Sequence, residues 1–216
     1  MLLFDALSPG PRTVRMYLLE KNLVIPTQNI DVFCGENRQH PFLDYNPAGQ
    51  LPTLKLDNGI SISESVAIVE YLEELHTKPV LIGSTAEERA LTRQWLRRVE
   101  FNITEFIHNA YHYAEGIDRF KTRIPVATEA AAGLKKVAQD RISWLDNMMG
   151  GTTYLVPNRF TIADIWLYVW LDFGISVGQP FDRTLSNITP WFDRIASRLS
   201  AEASLHPNSQ KIGVRG

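Results

Sequence analysis

Cysteine is nearly absent. Cys34 is the one thiol in 216 residues, which excludes an intrachain disulfide and any cysteine-built metal site. Long apolar runs are missing as well, none approaching the ~20 residues of a membrane-spanning helix. No basic segment precedes an apolar one at the N-terminus, so the expectation is a cytoplasmic protein with no membrane partner. Neither sign of charge is in excess: 22 Lys and Arg stand against 24 Asp and Glu, a net charge of −2. Such a surface has no strong field to attract nucleic acid. Five histidines contain one i, i+4 pair, His108 and His112, with no third ligand beside it. That pair reads as helix surface or pocket lining, and no metal is expected. Cys34, at the end of an apolar run, reads as a semi-buried structural thiol.

What is present is concentrated in the stretch Asn46–Leu75, NPAGQLPTLKLDNGISISESVAIVEYLEEL. Two prolines flank a Gly-Gln-Leu step, two short extended runs follow, and Asn58-Gly59 between them signals a hairpin with a primed turn. After Ser63, apolar residues at three- and four-residue spacing (Val66, Ile68, Val69, Leu72, Leu75) predict a helix burying one face. Glu64-Ser65 sits where strand becomes helix. A carboxylate, a hydroxyl and free backbone N–H groups at a positive helix end together suit a zwitterion. Leu51-Pro52 is a candidate cis peptide that leaves the Leu51 N–H and C=O to pair with a peptide-like ligand.

Ahead of this stretch, Leu2-Leu3-Phe4 reads as a strand broken at Ser8-Pro9-Gly10-Pro11. A helix is predicted from Arg12 through Lys21 with Pro11 in its first turn, and a second strand over Thr27–Val32. The order is β-α-β, a loop, then β-β-α, a thioredoxin-like arrangement. Ser8 enters the first helix. Its hydroxyl either caps that helix or donates to a ligand thiol, where the positive helix end lowers a thiol pKa and so raises the reactive thiolate fraction.

The pattern Asn46-Pro47-x-Gly49-x-Leu51-Pro52-Thr53-Leu54, then a hairpin and Glu64-Ser65-x-Ala67-Ile68, closely resembles the glutathione-binding half of the soluble glutathione S-transferases. Ser8-Pro9-Gly10-Pro11-Arg12-Thr13-Val14-Arg15 resembles the first turn of their serine-type members, of the theta, delta and zeta kind, in a bacterial-like form. The resemblance implies glutathione as co-substrate and no metal. It implies Ser8 as the catalytic hydroxyl beside the sulfur. Ser65 then contacts the γ-glutamyl carboxylate and Glu64 its ammonium, Leu51 before Pro52 pairs with the cysteinyl unit, and Gln50 reaches the glycyl end. Arg38 or His40 in the preceding loop is the candidate for the glycyl carboxylate, although Asn37 holds the matching position when counted back from Phe42.

Beyond a linker over residues 78–84, Ser84-Thr85-Ala86-Glu87 reads as a capping box opening a long helix, with Leu91, Trp95, Val99, Ile103 and Phe106 at near-helical spacing. A second helical segment spans Val126 to Met149. Thr161-Ile162-Ala163-Asp164 opens a helix so apolar that it should be buried nearly all round; in the family resembled, this box serves folding stability. Thr189-Pro190 starts a last helix with Thr as cap, and the polar tail from Ser200 is expected to fray. The fold expected is therefore an α+β thioredoxin-like domain over residues 1–77, followed by an all-α helical bundle domain over 85–216. The resemblance implies a homodimer that conjugates glutathione to a hydrophobic electrophilic small molecule. Gly10, His108, Tyr111 and Tyr113 are candidates for the electrophile's pocket, the last three equally readable as helix packing. A glutathione-dependent isomerase, a disulfide reductase and a non-catalytic scaffold are the competing readings. The reductase lacks both the cysteine and, at Gly10, the asparagine expected of it.

Overall fold

Four strands form one sheet in the order β2-β1-β3-β4 in the computed structural model, which describes residues 1–216. Strand β1 (Leu2–Asp5) pairs parallel with β2 (Thr27–Asn29) and antiparallel with β3 (Thr53–Lys55), which pairs antiparallel with β4 (Ser61–Ser63). The β-α-β and β-β-α order expected from the sequence is the one found, a thioredoxin-like half followed by a helical one. Between β1 and β2 runs α1 (Pro9–Lys21), which starts two residues before the predicted Pro11, with three of its first-turn residues being Pro, Gly and Pro. Strand β2 is shorter than predicted and fully exposed. A short helix α2 (Phe42–Tyr45) occupies the loop, and α3 (Ser65–Leu75) follows β4.

The hairpin turn differs in kind from the primed one. Only Gly59 takes a positive φ, at +87°, and its N–H reaches the Leu56 carbonyl at 3.1 Å. Asp57-Asn58-Gly59 is thus the three-residue loop that ends on a left-handed glycine. Ile68, Val69 and Leu72 of α3 are wholly buried with Leu3, Val14, Met16 and Leu54, whereas Val66 is half-buried and Leu75 is exposed, so three of the five predicted residues of this face build the core.

Two compact units result, one of Met1–Leu81 with Leu199–Gly216, the other of Ile82–Arg198. The tail does not fray. It forms α10 (Leu199–Ala203) and α11 (Ser209–Ile212) and packs on α1 within the first unit, with Ser200, Ser204, His206 and Ser209 buried.

In the second unit, the long helix is two helices, α4 (Ala86–Val99) and α5 (Glu105–Tyr113), joined by a π-helical stretch over Glu100–Thr104. Its cap lies one residue on from the predicted Ser84: the Thr85 hydroxyl accepts from the Glu88 N–H at 3.2 Å, and the Glu88 carboxylate accepts from the Ser84 N–H at 2.7 Å. A short α6 (Ile117–Phe120) leads to α7 (Ala131–Met149), which packs on α5. The apolar helix α8 (Ile162–Ser176) is buried at every residue from Ile162 to Gly174, as its composition required. Helix α9 (Ile188–Ala196) starts at Ile188 and not at Thr189, because Asp146 of α7 accepts from the Asn187 and Ile188 N–H groups at 2.8 and 2.7 Å. A carboxylate from a neighbouring helix supplies the cap that Thr189 was expected to give.

Asp164 is where this unit is tied together. Fully buried, it accepts from the Leu155 and Thr161 N–H groups, the Thr161 hydroxyl and the Trp191 indole N–H, at 2.9–3.1 Å. Burial pushes its carboxyl up to about 6 against the pull of those four donors. Removing the carboxylate strands three buried N–H groups at once, whereas removing the Thr161 hydroxyl strands none. Asp164→Ala is therefore expected to cost about 3–5 kcal/mol and Thr161→Ala about 1 kcal/mol. Urea denaturation of the two variants checks the order; equal losses would contradict it.

Candidate functional site

Three backbone features of the first unit meet at Gly10. A Cβ placed on Gly10 would lie 3.1 Å from the Ser65 Oγ and 3.4 Å from both the Leu51 carbonyl oxygen and the Pro52 Cδ. A side chain at residue 10 would press on the Ser65 hydroxyl, so glycine suits the close approach of the first turn of α1, the turn before β3 and the start of α3. This places Gly10 at the centre of the cluster, within contact of residues that the sequence reading assigned to a different ligand.

Ser8 precedes that turn with extended backbone, φ −164° and ψ 165°, and its side chain makes no capping hydrogen bond. Its N–H is bonded to the Ala6 carbonyl and its C=O to the Arg12 N–H, so the half-buried hydroxyl is left uncommitted. Pro9 and Pro11 carry no N–H, which leaves the Gly10 amide as the available donor of the first turn. Thr13 is no competitor: it is fully buried, and its hydroxyl bonds the Pro9 carbonyl at 3.1 Å.

The Leu51-Pro52 peptide is cis, as the sequence suggested. Leu51 makes no hydrogen bond through its N–H or C=O. The turn is braced from inside by Asn46, whose amide nitrogen donates to the Gln50 carbonyl at 2.8 Å and to the Thr53 hydroxyl at 3.2 Å. Glu64 is exposed at the N-cap of α3 with φ +70° and ψ 122°. A non-glycine residue there is strained, and strain of this kind gathers at ligand sites. Ser65, beside it, is buried.

Of the two residues considered for the preceding loop, the structure brings one to the turn. Arg38 donates to the Ala48 carbonyl at 2.9 Å, whereas His40 is exposed and paired with Asp44 at 2.7 Å. Asn37, which holds the matching position counted back from Phe42, is the third residue of that loop to consider. It is buried, donates to the Gly49 carbonyl at 2.6 Å, and keeps its Oδ1 buried without a partner. Gly49 has φ +62° and would clash with the Asn37 carbonyl if it carried a side chain, so the signal available was that glycine. Cys34 is exposed, contrary to its semi-buried expectation, and hydrogen bonding to Asp31 pushes its thiol up, away from reactivity.

His108, Tyr111 and Tyr113 lie on α5 of the second unit. The rings of His108 and His112 lie 4.1 Å apart at an interplanar angle of 58°, His108 lies 4.9 Å from Trp170, and His112 lies 3.9 Å from Phe120. The buried Tyr111 packs edge-on to Phe173 at 5.0 Å, and its hydroxyl accepts from Arg119 at 2.6 Å. The histidine pair is therefore part of an aromatic cluster, and Tyr111 is a packing residue of it.

This geometry defines a class: a thioredoxin-like unit with a cis-proline turn, an uncommitted hydroxyl before α1 and a strained carboxylate-serine step before α3. Family models match on both sides: glutathione S-transferase, N-terminal domain, over residues 7–75, and glutathione S-transferase, C-terminal domain, over residues 119–198. A crystal structure of a glutathione S-transferase domain-containing protein from Marinobacter aquaeolei superposes with a TM-score of 0.87 at 30% identity, covering 93% of this chain and all of that one. Glutathione S-transferase 2 of Saccharomyces cerevisiae is 26% identical over 97% of this chain and 91% of its own. Maleylacetoacetate isomerase of Pseudomonas aeruginosa is 41% identical over 66% of this chain and 67% of its own. The chain belongs to the glutathione S-transferase family.

The histidine cluster makes a pH prediction. Burial lowers His108 from the ordinary 6.5 to about 3 and His112 to about 4. Below pH 6.5 the unfolded chain takes up protons that the folded one refuses, so this contribution to stability is complete above 6.5 and is lost as pH falls toward 4 and 3. His108→Phe should flatten the fall in unfolding free energy between pH 6.5 and 4, by up to about 1.4 kcal/mol per pH unit. Urea titrations at a series of pH values check this, and an unchanged slope would contradict it.

Proposed function

We propose that the protein is a glutathione S-transferase of the serine type, in which the thioredoxin-like domain, residues 1–77, binds glutathione and a thiolate attacks a hydrophobic electrophile. The observation that carries this reading is the convergence at Gly10 of the Ser65 hydroxyl and the Leu51 carbonyl, two residues on from the uncommitted Ser8 hydroxyl. In this reading Leu51 pairs with the cysteinyl unit through its backbone, Glu64 and Ser65 hold the γ-glutamyl end, and Gln50 with Arg38 faces the glycyl end. Ser8 and the Gly10 amide then stabilise the thiolate at the positive end of α1. Holding the tripeptide at several points fixes the sulfur, and positioning supplies much of the acceleration.

The resemblance carries with it a cytoplasmic homodimer without a metal. One other reading has a specific observation behind it. The 41% identity to an isomerase over two thirds of both chains favours a glutathione-dependent isomerisation, which uses the same thiolate and differs in the second substrate.

Ser8→Ala tests the shared step. A hydrogen bond to a charged group contributes about 1.5–3 kcal/mol, so the variant should lose about 10–100-fold in thiolate stabilisation. In the ultraviolet difference spectrum of bound glutathione against pH, the wild type should show a lowered thiol pKa that rises in the variant. An identical pKa in the two proteins would remove Ser8 from the role.

A further inference from the structure

The C-terminal tail runs back along α1 from its last turn to its first. Ser200 bonds Glu20 near the end of the helix, the Arg15 guanidinium donates to the Ser204 carbonyl at 2.8 Å, and His206 meets Asn29 at 2.6 Å. Arg12 makes the central attachment. Wholly buried, it donates to the Ser204 hydroxyl at 3.3 Å, the Arg215 carbonyl at 3.1 Å and the Ala201 carbonyl at 3.0 Å. A fork of fixed geometry thereby joins three points of the tail, which a flexible ammonium could not do.

The far end of this strap reaches Ser8. A main-chain oxygen of Gly216 accepts from the His206 N–H and the Ser209 hydroxyl, both at 3.2 Å. A Cβ on Gly216 would lie 2.9 Å from the Ser8 Cα, 3.0 Å from its N and 3.2 Å from its C. Backbone is thus packed directly on backbone at the one residue of the first turn whose hydroxyl is uncommitted. Ser8's own backbone bonds reach Ala6 and Arg12, Pro9 and Pro11 offer no N–H to add to them, and the Gly216 contact bears on the same residue from outside the turn.

We propose that Arg12 is a positioning residue: it pins the tail to α1 so that Gly216 braces the Ser8 backbone and sets the place of the Ser8 hydroxyl. The consequence for glutathione rests on the reading of Ser8 given above, while the brace itself does not. Neither Arg12 nor Gly216 need touch a ligand for this. An arginine in the first turn of α1 and a glycine at residue 216 act on one hydroxyl.

Gly216→Ala and Arg12→Lys test it on the full chain with two readouts. Without ligand, amide hydrogen exchange across Leu7–Gly10 should speed up about tenfold in both variants. With glutathione, the bound thiol pKa should rise and kcat should fall about tenfold while KM for glutathione stays within about twofold, as for a displaced catalytic group. If Arg12→Lys does not fold, Gly216→Ala carries the test alone, because it deletes no hydrogen bond. Unchanged exchange across Leu7–Gly10 in Gly216→Ala overturns the brace even if the wild type binds glutathione. So does faster exchange with an unchanged bound-thiol pKa and kcat, since the variant would then be only structural. Faster exchange in a wild-type background that gives no glutathione signal keeps Arg12 as the pin of Ser8 and removes the glutathione reading alone.

Discussion

A buried ion pair sets the frame on which the candidate site depends. Lys21, in the last turn of α1, meets Glu73, in the last turn of α3, at 2.6 Å, with both side chains almost fully buried. Glu73 also accepts from the Tyr17 hydroxyl at 3.1 Å and the Leu81 N–H at 3.3 Å, while Lys21 donates to the Pro79 carbonyl at 2.5 Å. Desolvating two charges costs several kcal/mol and is offset only when the remaining donors and acceptors are also matched, as they are here. With the C-terminal ends of α1 and α3 joined in this way and their N-terminal ends in contact at Gly10 and Ser65, the helices lie side by side and parallel. Two positive helix ends therefore open in the same place.

That arrangement explains why the site is built mostly from backbone. Proline, glycine and a strained glutamate shape three turns that meet, and few side chains are needed beyond two hydroxyls and a carboxylate. A ligand with a peptide backbone and a charged end fits such a surface, because peptide groups pair with peptide groups and a carboxylate is favoured at a helix N-terminus. On the proposed reading, a thiolate held beside Ser8 gains from the same field. A second substrate would meet no such constraint, since side chains of helices can change without disturbing the fold.

Legibility in the sequence followed the same division. Pro52 and Gly59 are readable because unusual backbone needs unusual residues, the Glu64-Ser65 step because it stands where strand becomes helix, and Thr161-x-x-Asp164 because a cap has a fixed spacing; the positive φ of Glu64 is not readable, since glutamate carries no sign of it. Nor are the buried charges. Lys21, Glu73 and Arg12 look like surface residues in any hydropathy pattern, and only tertiary partners explain their burial. The turn at Gly59 was placed correctly but given the wrong type, since Asn-Gly fits two kinds of turn and the register of the flanking strands decides between them. The start of α9 was missed because its cap comes from Asp146, 41 residues away in sequence. The tail reads as frayed in the sequence because its anchors, Ser204 and the Ala201 and Arg215 carbonyls, carry no signal of their own.

A crystal structure of the protein grown with glutathione tests the central claim most directly. The account predicts the tripeptide paired antiparallel with the Leu51 backbone, its γ-glutamyl carboxylate at the Ser65 N–H and hydroxyl, and its sulfur within hydrogen-bond distance of the Ser8 Oγ. Glutathione bound elsewhere, or with its sulfur directed away from Ser8, would contradict it.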